Sequence, residues 1–147
     1  MFWNVAYGEG WALYAEKLGF DLGLFTDPYQ KYGHLQAELF RAARLVADTG
    51  IHFHGWTRDQ AIEYMAGQGG VEQGYAVSEV DRYFSNPAQA LGYMLGQLKF
   101  LELRARAEKT LGAKFDARDF HAVAIDNGSM PLAVLEKQVD AWIAGRK

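Results

Sequence analysis

Four histidines, eighteen acidic residues and no cysteine define the chemistry open to this 147-residue chain. Without cysteine, thiol catalysis, disulfides and thiolate-held zinc are excluded. A helical zinc pair needs imidazoles three or four residues apart on one face, often with a glutamate beside the first. His34, His52, His54 and His121 do not offer that spacing. His52 and His54 form a His-x-His pair just after a predicted helix end, a pattern suited to a strand or an extended loop. Such a pair is ordinarily polar loop surface, with metal ligation as the alternative. His34 and His121 read as surface or core-edge residues. Ser78, Ser85 and Ser129 stand in no nucleophile-elbow context.

The carboxylates are more informative. Glu9 lies in the run AYGEGWALYAEKLG, residues 6–19, directly before a Gly-Trp pair and a series of helix formers. Glu16 is seven residues on, so the two share a helix face roughly 10 Å apart along the axis. Two readings of Glu9 stand side by side. One is an acid in the first turn, favoured by the helix dipole. The other is a metal-ligating or general-base carboxylate on a rigid helix, with Gly10 letting a neighbouring backbone approach.

The elements that must position these residues are helical. A first helix covers about residues 5–22. Asp27-Pro28 then gives an N-cap followed by proline at the first helical position. The next helix runs over 29–48 with Leu35, Leu39, Ala42, Ala43 and Val46 on one side and Gly50 as C-cap. Thr57-Arg58-Asp59-Gln60 is a capping box opening a short helix that ends before Gly67-Gln68-Gly69-Gly70. Residues 72–84 read as another short helix, closed by Asn86-Pro87. The longest helix is expected over 88–111, with Leu91, Met94, Leu95, Leu98 and Leu101 as its buried stripe. Asp116 caps a helix holding Phe120 and Val123, and Asn127–Pro131 turns into a last helix over 132–144. No segment shows convincing strand alternation. The expectation is an all-α array of about six to seven helices in a single domain spanning 1–147.

Half the residues are apolar and 14% aromatic, enough for a real core. The formal net charge of −3 argues against a nucleic-acid-binding face. No phosphate-binding glycine loop, signal peptide or bilayer-length apolar run occurs, so no membrane partner is expected and the compartment is left open.

Four blocks carry a family resemblance. EGWALYAEKLG, the stretch from Leu24 to Met65, EVDRYFSNPAQALGYMLGQLKFLELRARAEKTLG and FHAVAIDNGSMPLAVLEKQVDAWI together resemble, in order, the bacterial family called domain of unknown function 885. Full-length members of that family resemble gluzincin-type zinc metallopeptidases with a largely helical fold. The resemblance implies that Glu9 matches the third zinc ligand. It places Tyr93, in Gly92-Tyr93-Met94-Leu95-Gly96, where a hydroxyl would hydrogen-bond the tetrahedral oxyanion; a packed core aromatic is the alternative. Glu16, Arg44, Asp48 and His52 become candidates for binding substrate or orienting the ligand, although Arg44 and Asp48 are also spaced as an ordinary i,i+4 ion pair. Arg82 reads equally as a structural partner of Asp81 or Glu79.

The family's His-Glu-x-x-Pro-Gly-His signature does not occur in this chain, and Gly8 stands where a larger residue is expected. The implied reading is the C-terminal segment of a zinc metallopeptidase: peptide hydrolysis and zinc belong to a longer parent, and this chain alone is inactive and holds no zinc. A non-catalytic helical interaction or oligomerisation module is the alternative. A segment cut from a larger fold exposes apolar surface, so a homodimer is expected.

Overall fold

Side-chain caps fix where most helices begin. Asn4 accepts from the Tyr7 amide to start α1, Val5–Asp21. Asp27 and Gln30 form a reciprocal capping box for α2, Pro28–His52, and Thr57 and Gln60 do the same for α3, Arg58–Gly67. Glu72 caps α4, Gln73–Ser85. A 3-10 turn at Gln89–Leu91 leads into α5, Gly92–Leu111, and a second at Gly112–Lys114 follows it. Asp116 caps α6, Ala117–Ile125, and α7 spans Leu132–Arg146. The structure, a computed structural model, describes residues 3–146; among them there are seven α-helices and no strand, as the periodicity predicts.

The helices close around two apolar cores. Tyr7 and Tyr14 of α1, Phe100 and Leu103 of α5, Phe120 of α6, and Leu135 and Val139 of α7 form the first. Tyr7 is pinned there by its hydroxyl, which donates to the Ala124 carbonyl at 2.7 Å. The second joins α2, α3, α4 and the first 3-10 turn through Phe40, Ala47, Ile51, Ile62, Met65, Val80, Tyr83 and Ala90. Each large apolar side chain removed from water contributes on the order of 1.5–3 kcal/mol.

Three sequence expectations are corrected. Gly50 does not end α2. It is buried inside the helix, because a Cβ there would lie 2.5 Å from the Trp56 indole that covers it. At 25 residues α2 is therefore longer than α5, at 20. Nor does α5 begin at Ala88: that residue takes a left-handed φ of 66°, and the helix starts at Gly92.

The third correction concerns the leucine stripe of α5. Leu95 and Leu98 are about half exposed, and the helix buries Gly92, Gly96, Gln97, Phe100, Leu103 and Ala107 instead. The reason is a backbone-to-backbone crossing. A Cβ on Gly10 would stand 2.3 Å from the Gly96 Cα, and one on Gly96 would stand 1.8 Å from the Ala6 carbonyl oxygen. Helix α5 turns its glycine side to α1, and the leucines are rotated away.

Candidate functional site

Glu9 is the fifth residue of α1, one turn beyond the cap, so it is not the first-turn acid that the dipole reading requires. It is half-buried. Among the described residues its carboxylate has no hydrogen bond and no ion pair. Gly8, the smaller-than-expected residue beside it, leaves the space that the Trp3 indole fills, 2.3 Å from where a Cβ would stand.

Helix register shows which way Glu9 looks. Ala6 and Gly10 meet α5, whereas Tyr7 and Tyr14 turn into the first core. Glu9, Leu13, Glu16 and Phe20 occupy the other flank of the crossing. At the end of that flank the Phe20 ring packs edge-on against His34 of α2, with centroids 4.9 Å apart. On α5, Tyr93 and Gln97 also turn to α2. The Arg44 guanidinium lies 4.8 Å from the centre of the Tyr93 ring, and the Gln97 amide donates to Glu38 at 3.1 Å. Glu9, Tyr93, Gln97, Arg44 and Glu38 thus border one seam between α1, α2 and α5. The Tyr93 ring is partly buried, and its hydroxyl has no hydrogen-bond partner among the described residues.

Arg44 and Asp48 do not pair with each other. Arg44 is buried between the Phe40 and Tyr93 rings and donates to Glu79 at 2.8 Å. Glu79 also accepts from Arg82 and from the Tyr83 hydroxyl, which settles Arg82 as its partner rather than Asp81's. Burial pushes the Glu79 carboxyl up, but Arg82, Arg44 and Tyr83 together hold it below the usual range. Burial pushes Tyr83 upward, and the Glu79 charge adds to this.

Asp48 accepts the Ala88 amide with both oxygens, each at 3.1 Å. Burial raises its carboxyl, opposed by that amide and by the charges of His52 and Arg82. His52 closes α2 rather than sitting in a loop, with Nε2 at 3.0 Å from the Tyr83 carbonyl. These three residues therefore hold α2 to α4 and to the 3-10 turn. Only Arg44 reaches the seam, through its face on Tyr93. Glu16 is exposed and makes no polar contact among the described residues.

Sequence reasoning missed Gln97. It is 1% exposed, and its amide oxygen is buried with no hydrogen-bond partner among the described residues. The signal was present as a lone polar residue inside the apolar run of α5.

No three His, Asp or Glu side chains among the described residues gather closely enough to enclose a metal ion. A zinc centre that drew on the described residues would therefore take no more than two such donors from them. Glu9 fits that requirement as a half-buried carboxylate with no partner of its own.

The chain belongs to the family described as bacterial protein of unknown function (DUF885), whose model matches residues 1–139. It is also similar to a chain in a crystal structure described as "the putative lipoprotein from Colwellia psychrerythraea". The two are 51% identical with a TM-score of 0.93, over 96% of this chain and 24% of that one. This chain thus spans about a quarter of the length of that relative. No curated protein matches it. Among the described residues, no helix is long and apolar enough to cross a membrane.

Proposed function

We propose that this chain is the C-terminal segment of a zinc-dependent metallopeptidase, supplying one carboxylate ligand and one oxyanion donor to a site completed by residues outside it. The observation that carries the reading is the pair of groups on the seam without a protein partner among the described residues, the half-buried Glu9 carboxylate and the Tyr93 hydroxyl. Both oxygens are left free to meet a ligand. Two such groups on adjoining helices suit a reaction centre shared with another part of a chain.

Bound zinc would acidify a water and polarise the scissile carbonyl of a peptide. Glu9, fixed by the Gly10–Gly96 crossing, would hold one coordination position. Tyr93, its ring clamped by Arg44, would donate to the oxygen that becomes negative as the carbonyl turns tetrahedral. The histidines of the His-Glu-x-x-Pro-Gly-His signature, and the glutamate beside the first as general base, would be supplied by another part of a longer chain, and this chain alone would not hydrolyse peptides. The resemblance to gluzincin-type peptidases supports this reading, together with the register of Glu9 and Tyr93.

The test is zinc content and peptidase activity of this chain beside those of a longer family chain. Stoichiometric zinc in the longer chain that is lost on Glu9→Ala supports the reading. A longer chain that binds no zinc, or binds it equally well without the carboxylate, sinks it.

A second reading, a helical interaction module without catalysis, is favoured by one observation: Leu35, Leu39 and Val46 of α2 are each more than two-fifths exposed.

A further inference from the structure

Helix α2 has two apolar faces. Phe40, Ala47 and Ile51 pack into the second core. On a separate, exposed flank Tyr32, Leu35, Leu39, Ala42 and Val46 follow one another at steps of three, four, three and four residues. Tyr32 is 66% exposed, Leu35 57%, Leu39 48% and Val46 41%. Over 14 residues the stripe runs roughly 21 Å along the axis. Single exposed leucines need no explanation, but an unbroken seam at this spacing does. It is the pattern by which one helix receives the side chains of another lying almost parallel to it.

We propose that this stripe is the seat of a helix belonging to the part of the longer family chain that lies beyond this segment. Two observations choose that occupant over others. The Colwellia psychrerythraea relative is 51% identical to this chain, yet the match takes up only 24% of its length, so three quarters of that chain must pack elsewhere. The regular elements of the described residues are all helices, and the three-four spacing fits a helix rather than a strand or a small ligand. The inference does not rest on the zinc reading: the seam bearing Glu9 and the stripe of α2 are different faces.

Cysteine labelling of the longer relative tests it. The longer relative would carry a single cysteine at the position superposing on Leu39, in a background cleared of other reactive thiols. A second variant would place the cysteine at the position of Leu35, and a control at that of exposed Ser78. Circular dichroism confirms that each variant is folded. Thiol labelling at both stripe positions at least tenfold slower than at the control, and unchanged on hundredfold dilution, is the expected result. Labelling as fast as the control overturns the proposal. Protection that disappears on dilution overturns it too, because the occupant is then a second copy.

Discussion

Gly10 and Gly96 touch backbone to backbone: a Cβ on the first would stand 2.3 Å from the Cα of the second. That contact sets the distance between α1 and α5, and with it the relation of Glu9 to Tyr93. Gly96→Ala forces a methyl group to 1.8 Å from the Ala6 carbonyl oxygen, and no side-chain rotation relieves a clash with backbone. The expected cost is about 1–3 kcal/mol or more in urea unfolding. An unchanged midpoint would show that the helices are not locked there.

The pair formed by Arg44 and Glu79 is the most buried ionic contact of the second core, with side chains 7% and 10% exposed. Arg44→Ala leaves the Glu79 carboxylate with Arg82 and the Tyr83 hydroxyl and removes the cation from the Phe40 and Tyr93 rings. Destabilisation of about 3–5 kcal/mol is expected. Glu79 is lowered in the folded state, so its contribution is complete above its unfolded pKa and fades as the pH falls through the folded value. Arg44→Ala should therefore flatten the acid limb of the stability curve. A variant that keeps the wild-type acid limb would place that dependence elsewhere.

The pKa of His121 is lowered as well, but through disfavour of its charged form. Arg104 donates to the Tyr14 oxygen at 3.4 Å, and the Tyr14 hydroxyl lies 2.8 Å from His121 Nε2. The chain of donors runs in one direction only if that nitrogen is unprotonated. Burial, then the Arg104 charge, lowers the imidazole's pKa. Stability is thus full above the unfolded histidine value and is lost as the pH drops from there towards the folded one. Melting temperatures between pH 7.5 and 5 should fall in the wild type and fall less in His121→Gln. Parallel curves would refute the assignment.

If Tyr93 serves the oxyanion, Tyr93→Phe in a longer, zinc-loaded family chain should lower kcat by about 10²–10³ with little change in KM. Zinc content should be untouched. A loss confined to KM would make the hydroxyl a substrate contact instead.

This chain by itself leaves the α2 stripe bare, and light scattering is expected to show a dimer at micromolar concentration. Leu39→Arg should return it to a monomer. A wild type that is monomeric throughout would mean that exposure of this stripe is tolerated.

Much of the architecture was legible because caps are local. The side chains of Asp27, Thr57, Glu72 and Asp116 bond amides two or three residues away, so the helix starts could be read from neighbouring letters. Where a helix ends, and which side it buries, depends on distant partners. Gly50 stays helical because Trp56 covers it, and the leucines of α5 face outward because Gly92 and Gly96 meet α1. Periodicity finds an apolar stripe but cannot say whether its partner is present, which is why Leu35 and Leu39 could be placed on one side of α2 but not as exposed. At the candidate site, Glu9 and Tyr93 were found through resemblance. The partnership of Arg44 with Glu79 was not, since 35 residues separate them.

The two cores meet mainly through polar and edge contacts, Gln97 with Glu38 and Arg44 with Tyr93. Glu9 and Tyr93 ride on the first block, and Arg44 is anchored in the second. The Gly10–Gly96 crossing fixes the helices that carry the carboxylate and the phenol, while the guanidinium belongs to the other core. Hydrogen exchange should resolve the two cores as two tiers of protection.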